Sequence, residues 1–311
     1  MSVSDPAYLA QAALVVQVLP FLDSEKAFAL KGGTAINLLW RDMPRLSVDI
    51  DLVYLPLNDR KTALAEIDSS LKRLAGLLQS VSPAYGAKIS KRQEGAATGL
   101  LVSNAEAEIE IEVNTVLRGS VHPAVKRTLL PAAEKRFGFA EVATLSFEDT
   151  YAGKIVAALD RQHPRDLFDV ALLLANEGLS DGLLDAFVVY LASHSRPIAE
   201  VLVPREKDIR EVYEKEFAGM PFVPAPLEGL LDARKALADA LRRGLGKRRL
   251  AFLRSVKALQ PDWSLLPVPH LRELPGIRWK LHNLERLRGE QPARHAEALA
   301  NLDRVLEKMA G

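Results

Sequence analysis

Residues 31–52 read KGGTAINLLWRDMPRLSVDIDL, and this stretch restricts the fold more than any other part of the chain. Gly32-Gly33 closes a strand predicted over residues 27–30 and opens a helix predicted over 34–41, with Thr34 near its start. Met43-Pro44 breaks that helix, and residues 46–55 follow as an apolar strand carrying Asp49 and Asp51. Side chains at i and i+2 of a strand point the same way. Two carboxylates on one face repel each other, and a divalent cation is the usual offset. The glycines leave backbone N–H groups free of side-chain bulk, which suits a polyphosphate. Together they point to a Mg²⁺–nucleotide site. The plain alternative for Asp-x-Asp is a solvated strand end or a salt-bridged pair, and the Gly-Gly turn ahead of it weighs against that.

The remaining first half keeps mixing periods. Residues 62–79 place Leu64, Ile67, Leu71, Leu74 and Leu78 at helical spacing. Residues 87–90 and 98–103 read as strands around a Gly-rich turn. Within 106–117, Glu108, Glu110 and Glu112 alternate with Ile109, Ile111 and Val113, the pattern of a half-buried strand. Glu112 is the best third carboxylate for a two-metal site, because its strand is expected beside the aspartate strand. Glu108 and Glu110 share its face and stay open, as does a merely solvent-facing sheet edge.

After Thr144 the pattern turns helical: 147–159, 164–176, 183–191, 206–217, 227–259 (interrupted at Gly244 and Gly246), 278–288 and 293–309. Four prolines within 261–275 mark an extended connector. The expected fold is α+β: a catalytic sheet domain over residues 1–145, with a small mixed sheet, followed by a helical domain over 146–311. The apolar run 7–22 contains Gln11 and Gln17, lacks a basic leader and is too short to span a bilayer, so it reads as a packed helix with no membrane role. No cysteine is present, which rules out disulfides, zinc-thiolate sites and a thiol nucleophile, and fits a cytoplasmic setting. Six histidines are scattered without ligand spacing, so no zinc site is expected.

The net charge of +1 conceals an asymmetry. From Glu228 onward there are 17 Lys and Arg against 10 Asp and Glu, a surplus of seven, so the preceding 227 residues carry −6. Residues 241–257, LRRGLGKRRLAFLRSVK, hold seven basic residues and no acid. Such a stripe would grip nucleic-acid phosphates without reading sequence, and a solvated helix surface is the equally open alternative. Residues 154–169, KIVAALDRQHPRDLFD, align Lys154, Ala158 and Arg161 on one helical face and place Asp166 at the start of the next helix. Asp166 there is either a dipole partner of the helix N-terminus or the orienter of a triphosphate-binding Lys154.

Four pieces (KGGTAINL with RLSVDIDL; IEIEVN; KIVAALDRQHPRDLFDV; EFAGM with RWKLHNLERL) make the chain resemble the AbiEii/AbiGii toxin family of nucleotidyltransferases, to which the MenT toxins belong. The resemblance implies a polymerase-β-like nucleotidyltransferase sheet and spans most of the chain. It makes Gly32, Gly33 and Thr34 the nucleotide-binding turn, with Asp49 and Asp51 as catalytic metal ligands and Glu112 as the third carboxylate. Lys154 becomes a catalytic, nucleotide-binding lysine and Asp166 its partnered aspartate. Ser47 matches a serine near the site that related toxins can have phosphorylated. Fourteen residues lie between Thr34 and Asp49, a longer interval than in nucleotidyltransferases at large. The implied activity is NMP transfer from an NTP, with Mg²⁺, to a tRNA acceptor end, blocking translation, under control of a cognate antitoxin. A small-molecule (aminoglycoside-type) nucleotidyltransferase and a catalytically silent RNA- or partner-binding module are the alternatives.

Overall fold

Alternation in EIEIEVN decides how the sheet is dressed. In a computed structural model, which describes residues 6–310, strand β5 (Glu108–Asn114) buries Ile109, Ile111 and Val113 and turns its glutamates to the other face. The buried face joins one apolar core with α1 (Pro6–Leu22) and α3 (Arg60–Val81), through Leu14, Val18 and Leu19 of the first helix and Ile67, Leu71, Leu74 and Leu78 of the second. Burial of each such side chain contributes roughly 1.5–3 kcal/mol. Asp59 caps α3, its carboxylate accepting from the Lys61 and Thr62 amides.

The chain divides into two compact units, Met1–Thr150 with Glu216–Pro224, and Tyr151–Lys215 with Ala225–Gly311. The first holds β1 (Phe28–Lys31), α2 (Gly32–Ala35, continued by a π turn over Ile36–Trp40), β2 (Ile50–Tyr54), β3 (Gly86–Gln93), β4 (Ala96–Ser103), β5, β6 (Val125–Thr128), α4 (Pro131–Phe137) and β7 (Glu141–Thr144). The strands form a mixed sheet in the order β3-β4-β5-β2-β1-β7-β6. Strand β2 runs parallel to β5 and antiparallel to β1, and β1 runs parallel to β7. The β3–β4 hairpin turns at Glu94-Gly95, both at positive φ (51° and 82°), as a two-residue hairpin turn of matching twist requires.

Three local differences from expectation have identifiable causes. The aspartate strand starts at Ile50 rather than residue 46, because the preceding backbone pairs elsewhere: Arg45 bridges Pro221, and the Leu46 amide donates to the Met220 carbonyl. Asp49 therefore sits one residue ahead of the strand. The helix after the glycines begins at Gly32 and widens into a π turn, with the Arg41 amide reaching the Ile36 carbonyl at 2.7 Å. Strands β6 and β7 are four residues each, and α4 lies between them. Their alternation is too brief to stand out in the sequence.

The second unit is helical. Ser146 caps helix α5 (Phe147–Asp160), its hydroxyl accepting from the Asp149 amide, and the unit boundary falls after Thr150. Next come α6 (Pro164–Asn176), α7 (Asp181–Ser193), α8 (Ile198–Leu202), α9 (Arg210–Glu216), α10 (Leu227–Gly244), α11 (Gly246–Lys257), α12 (Pro275–Glu290) and α13 (Pro292–Ala310). Helix α7 is buried almost all round. The break expected near Gly244 and Gly246 occurs at Gly246, whose φ of +62° ends α10 and restarts the chain as α11. Residues 261–275 carry two single-turn 3-10 segments, Trp263–Leu265 and Leu271–Glu273. Among the described residues no helix is long and apolar enough to cross a membrane.

The basic stretch 241–257 differs from the open stripe its composition suggests. Arg249 is buried between Asp185 and Asp181, Arg248 also reaches Asp185, Arg242 pairs with Asp239 and Arg254 with Asp303. Lys257 is buried as well. Most of its charge is spent on internal ion pairs.

Candidate active site

The corner after β1 is built around missing side chains. Gly32 has φ +74°, and a Cβ there would lie 2.6 Å from Asp51 Oδ2. At Gly33 a Cβ would lie 2.9 Å from both Arg45 Nη2 and Ser47 Oγ. Any other residue at either position would displace those groups, so the backbone N–H groups and the Asp51 carboxylate share one corner. Thr34 locks the arrangement from beneath. Its buried hydroxyl donates to the Asp49 carbonyl and shares a 2.9 Å hydrogen bond with the Ser47 hydroxyl. Ser47 is itself buried. In the sequence Thr34 and Ser47 read as nucleotide-binding; in the structure their hydroxyls are turned on each other and on the backbone that bears Asp49.

Register then lines up a charged row across five strands. Lys91 of β3 pairs with Gly99 of β4, Gly99 with Glu112 of β5, Glu112 with Asp51 of β2, and Asp51 with Lys31 of β1. Because Gly99 has no side chain, Lys91 lies across it and reaches Glu112 Oε2 at 2.7 Å and Glu110 Oε2 at 3.2 Å. Hydrogen bonding to Glu112 is the main reason the Lys91 pKa is raised. Lys31 Nζ stands 3.8 Å from Asp51 Oδ1, and the Asp51 side chain remains 44% exposed. Asp49 and Glu110 each precede the Ile50–Ile111 pair, and Asp49 is exposed. Glu108 pairs with Ser103, further along β5.

Among the described residues no group of three His, Cys, Asp or Glu side chains is already arranged as a metal cage. The residues nonetheless fit the Mg²⁺ that the resemblance implies. Asp49, Asp51 and Glu112 supply hard oxygen donors beside a corner that a Cβ would fill. The two lysines bracket the row and balance part of its negative charge.

A second cluster lies within the helical unit. Lys154 of α5 is 6% exposed, and its Nζ contacts Asp166 Oδ1 at 2.8 Å and Asp169 Oδ2 at 3.0 Å. Arg161 adds Nε to Asp166 Oδ2 at 2.5 Å and Nη2 to Oδ1 at 3.0 Å. Burial alone would push the Asp166 carboxyl up. The Lys154 charge and the Arg161 hydrogen bond outweigh it and hold the group well below the usual carboxylate range. His163 caps α6, its Nδ1 accepting from the Arg165 amide at 3.1 Å. Asp169, absent from the expected site, is as buried as Asp166. Its spacing of three residues on one helix was the available signal. Lys31 and Lys91 carry no local signal in the sequence, since nothing near them in the chain ties them to the acids they meet.

A family model described as the nucleotidyl transferase AbiEii toxin of a type IV toxin–antitoxin system matches residues 13–282. Among solved structures, MenT4, a nucleotidyltransferase toxin from Mycobacterium tuberculosis H37Rv, is similar at 18% identity with a TM-score of 0.56, over 96% of this chain and 94% of that one. This is a likeness of fold. Terminal uridylyl transferase 4 from Trypanosoma brucei with bound dUTP aligns over 96% of this chain and 99% of its own, at 12% identity and a TM-score of 0.28, too low to argue from. No curated protein matches. With the family model covering most of its length, the chain belongs to the AbiEii family of nucleotidyltransferase toxins.

Proposed function

We propose that this toxin transfers NMP from an NTP to the acceptor end of tRNA, releasing pyrophosphate and stopping translation. The observation that carries the reading is the in-register pairing of Asp51 with Glu112, with the Asp51 carboxylate packed where a Gly32 Cβ would stand. In this reading an acceptor hydroxyl oxygen bonds to the α-phosphorus as the bond to the α–β bridging oxygen breaks, pyrophosphate leaves with that oxygen, and the hydroxyl proton passes to solvent. Asp49, Asp51 and Glu112 would hold Mg²⁺, which when bound neutralises α-phosphate charge and makes the attacking hydroxyl more acidic. Gly32 and Gly33 let the triphosphate approach the backbone closely. Thr34 and Ser47 act as positioning residues that keep the Asp49 backbone against the corner. The family resemblance assigns Lys154 to triphosphate charge and Asp166 to holding it, and their 2.8 Å contact supports a fixed ammonium. A tRNA acceptor and a cognate antitoxin come to this chain from its family membership.

The test is to incubate purified protein with total tRNA, Mg²⁺ and each labelled NTP in turn. Label is expected on tRNA with a preferred NTP and none after Asp49→Ala. Turnover that survives Asp49→Ala sinks the metal-site assignment, and label found only on small molecules sinks the tRNA assignment.

A further inference from the structure

The helical unit contains a cavity of about 690 Å³, lined by none of the candidate-site residues above and walled by α8, α12, α13 and the ends of α7 and α11. Its lining is strongly cationic: Lys257, Lys280, Arg286, Arg294 and Arg304, against Glu200 and Glu297. None of the five cations makes an ion pair among the described residues. Glu200 is already paired with Arg196. The deepest cations are the informative ones. Lys280 is buried and donates to the His194 carbonyl at 2.6 Å and the Arg196 carbonyl at 2.8 Å. Lys257 is 6% exposed, and its ammonium has no hydrogen-bond acceptor or counter-ion among the described residues. Desolvation pulls the Lys257 pKa down. Desolvation and then the nearby Lys257 charge lower that of Lys280 to about 8.

A buried charge without a partner is costly, and a bound anion would offset that cost at Lys257. Two ammonium groups that repel each other at the back of a cavity, with three guanidinium groups around it, call for an anion carrying more than one negative oxygen. The rim adds a second requirement. Trp279 lines the cavity, is 48% exposed and stacks on His282 with ring centroids 5.8 Å apart. An exposed indole beside a cationic cavity suits a nucleobase, since base–aromatic stacking is tolerant of sequence. One wall, α13, begins at Pro292, beyond the residue at which the family match ends. The cavity is thus formed in part by chain outside the family match.

We propose that this cavity is a nucleotide-binding site distinct from the acid row, with phosphate held by Lys257, Lys280 and the arginines and the base laid on Trp279. The phosphate reaches it either as a free nucleotide or as a phosphodiester of single-stranded RNA. Titration of the full-length protein separates these sources, following Trp279 fluorescence and calorimetric heat with UMP, AMP, a single-stranded oligouridylate and polyglutamate as probes. Binding of the mononucleotides assigns a free nucleotide, and binding of the oligonucleotide alone assigns RNA. Lys257→Met is expected to weaken the binding about tenfold or more and Trp279→Leu to abolish the fluorescence change. Because Lys257→Met removes an uncompensated buried charge, its thermal midpoint should equal or exceed that of the parent. Asp51→Ala should bind these probes unchanged, so loss of turnover with binding intact separates this proposal from the active-site reading. Equal affinity in Lys257→Met, polyglutamate binding as tight as the oligonucleotide, or no response to any phosphate probe overturns it.

Discussion

Replacing Lys154 by Met tests whether the buried ion cluster of the helical unit is as interdependent as its geometry implies. Lys154 Nζ lies 2.8 Å from Asp166 and 3.0 Å from Asp169, whose carboxylates are essentially shut off from water. At an effective dielectric of about 20, each contact is worth roughly 6 kcal/mol of Coulomb attraction, most of it offset by the cost of desolvating the ions. Removing the ammonium takes one cation away from two desolvated carboxylates, while the largely exposed Arg161 stays on Asp166. The expected net loss is about 3–5 kcal/mol. At roughly 2–4 °C per kcal/mol for a domain of this size, the midpoint of the helical unit should fall by about 6–20 °C.

The sign of the pH dependence is fixed as well. Asp166 titrates below its unfolded value, so in the parent its stabilisation is complete above the ordinary carboxylate pKa and fades as pH falls through the depressed one. In Lys154→Met the two buried carboxylates lose the Lys154 charge and should take up protons more readily. The deficit relative to the parent should therefore shrink between neutral pH and pH 4. Calorimetry at both pH values, alongside the triple variant Lys154→Met with Asp166→Asn and Asp169→Asn, measures this. A loss below about 1 kcal/mol at pH 7, a deficit that does not shrink on acidification, or a triple variant no more stable than Lys154→Met would refute the reasoning. The same data show whether any lost turnover in Lys154 variants reflects chemistry or unfolding.

Two further expectations concern the acid row. Gly32→Ala places a methyl group 2.6 Å from Asp51 Oδ2 at a φ of +74°, so it should cost roughly 1–2 kcal/mol of stability while turnover falls far more than the fold is weakened; retained turnover would show the corner to be dispensable. Lys91→Met frees Glu112 and Glu110 from a competing cation, so Mn²⁺ or Tb³⁺ should bind more tightly with little change in midpoint, and weaker metal binding would exclude Glu112 as a ligand.

What the sequence disclosed follows from the range of each signal. The glycine corner and the Glu-Ile alternation of β5 are local patterns with one conformational solution each, and both are legible. So is the helical character after Thr144. The row itself depends on strand order, and only the pairing of β2 with β5 converts Asp51 and Glu112 into neighbours. Lys91 reaches Glu112 because Gly99 of the intervening strand offers no obstacle, a relation among three separated segments. The ion pairing of the basic run 241–257 is hidden for the same reason. Of the acids that pair with it, Asp181, Asp185 and Asp303 lie far from it in sequence, and only Asp239 is close. Strand β2 came out shorter than its apolar run because residues 45–46 answer to Met220 and Pro221.

The alignment of Asp51 with Glu112 is decided by the same parity that buries Ile109, Ile111 and Val113. Sliding β5 by one residue against β2 would turn its glutamates inward and its aliphatic groups out, forfeiting roughly 1.5–3 kcal/mol for each. A slip of one residue therefore cannot part those two carboxylates without exposing the buried face of β5. In the proposed reading, a molecule folded in this register has its acid row already assembled, so restraint comes from outside the sheet or from chemical change at single side chains.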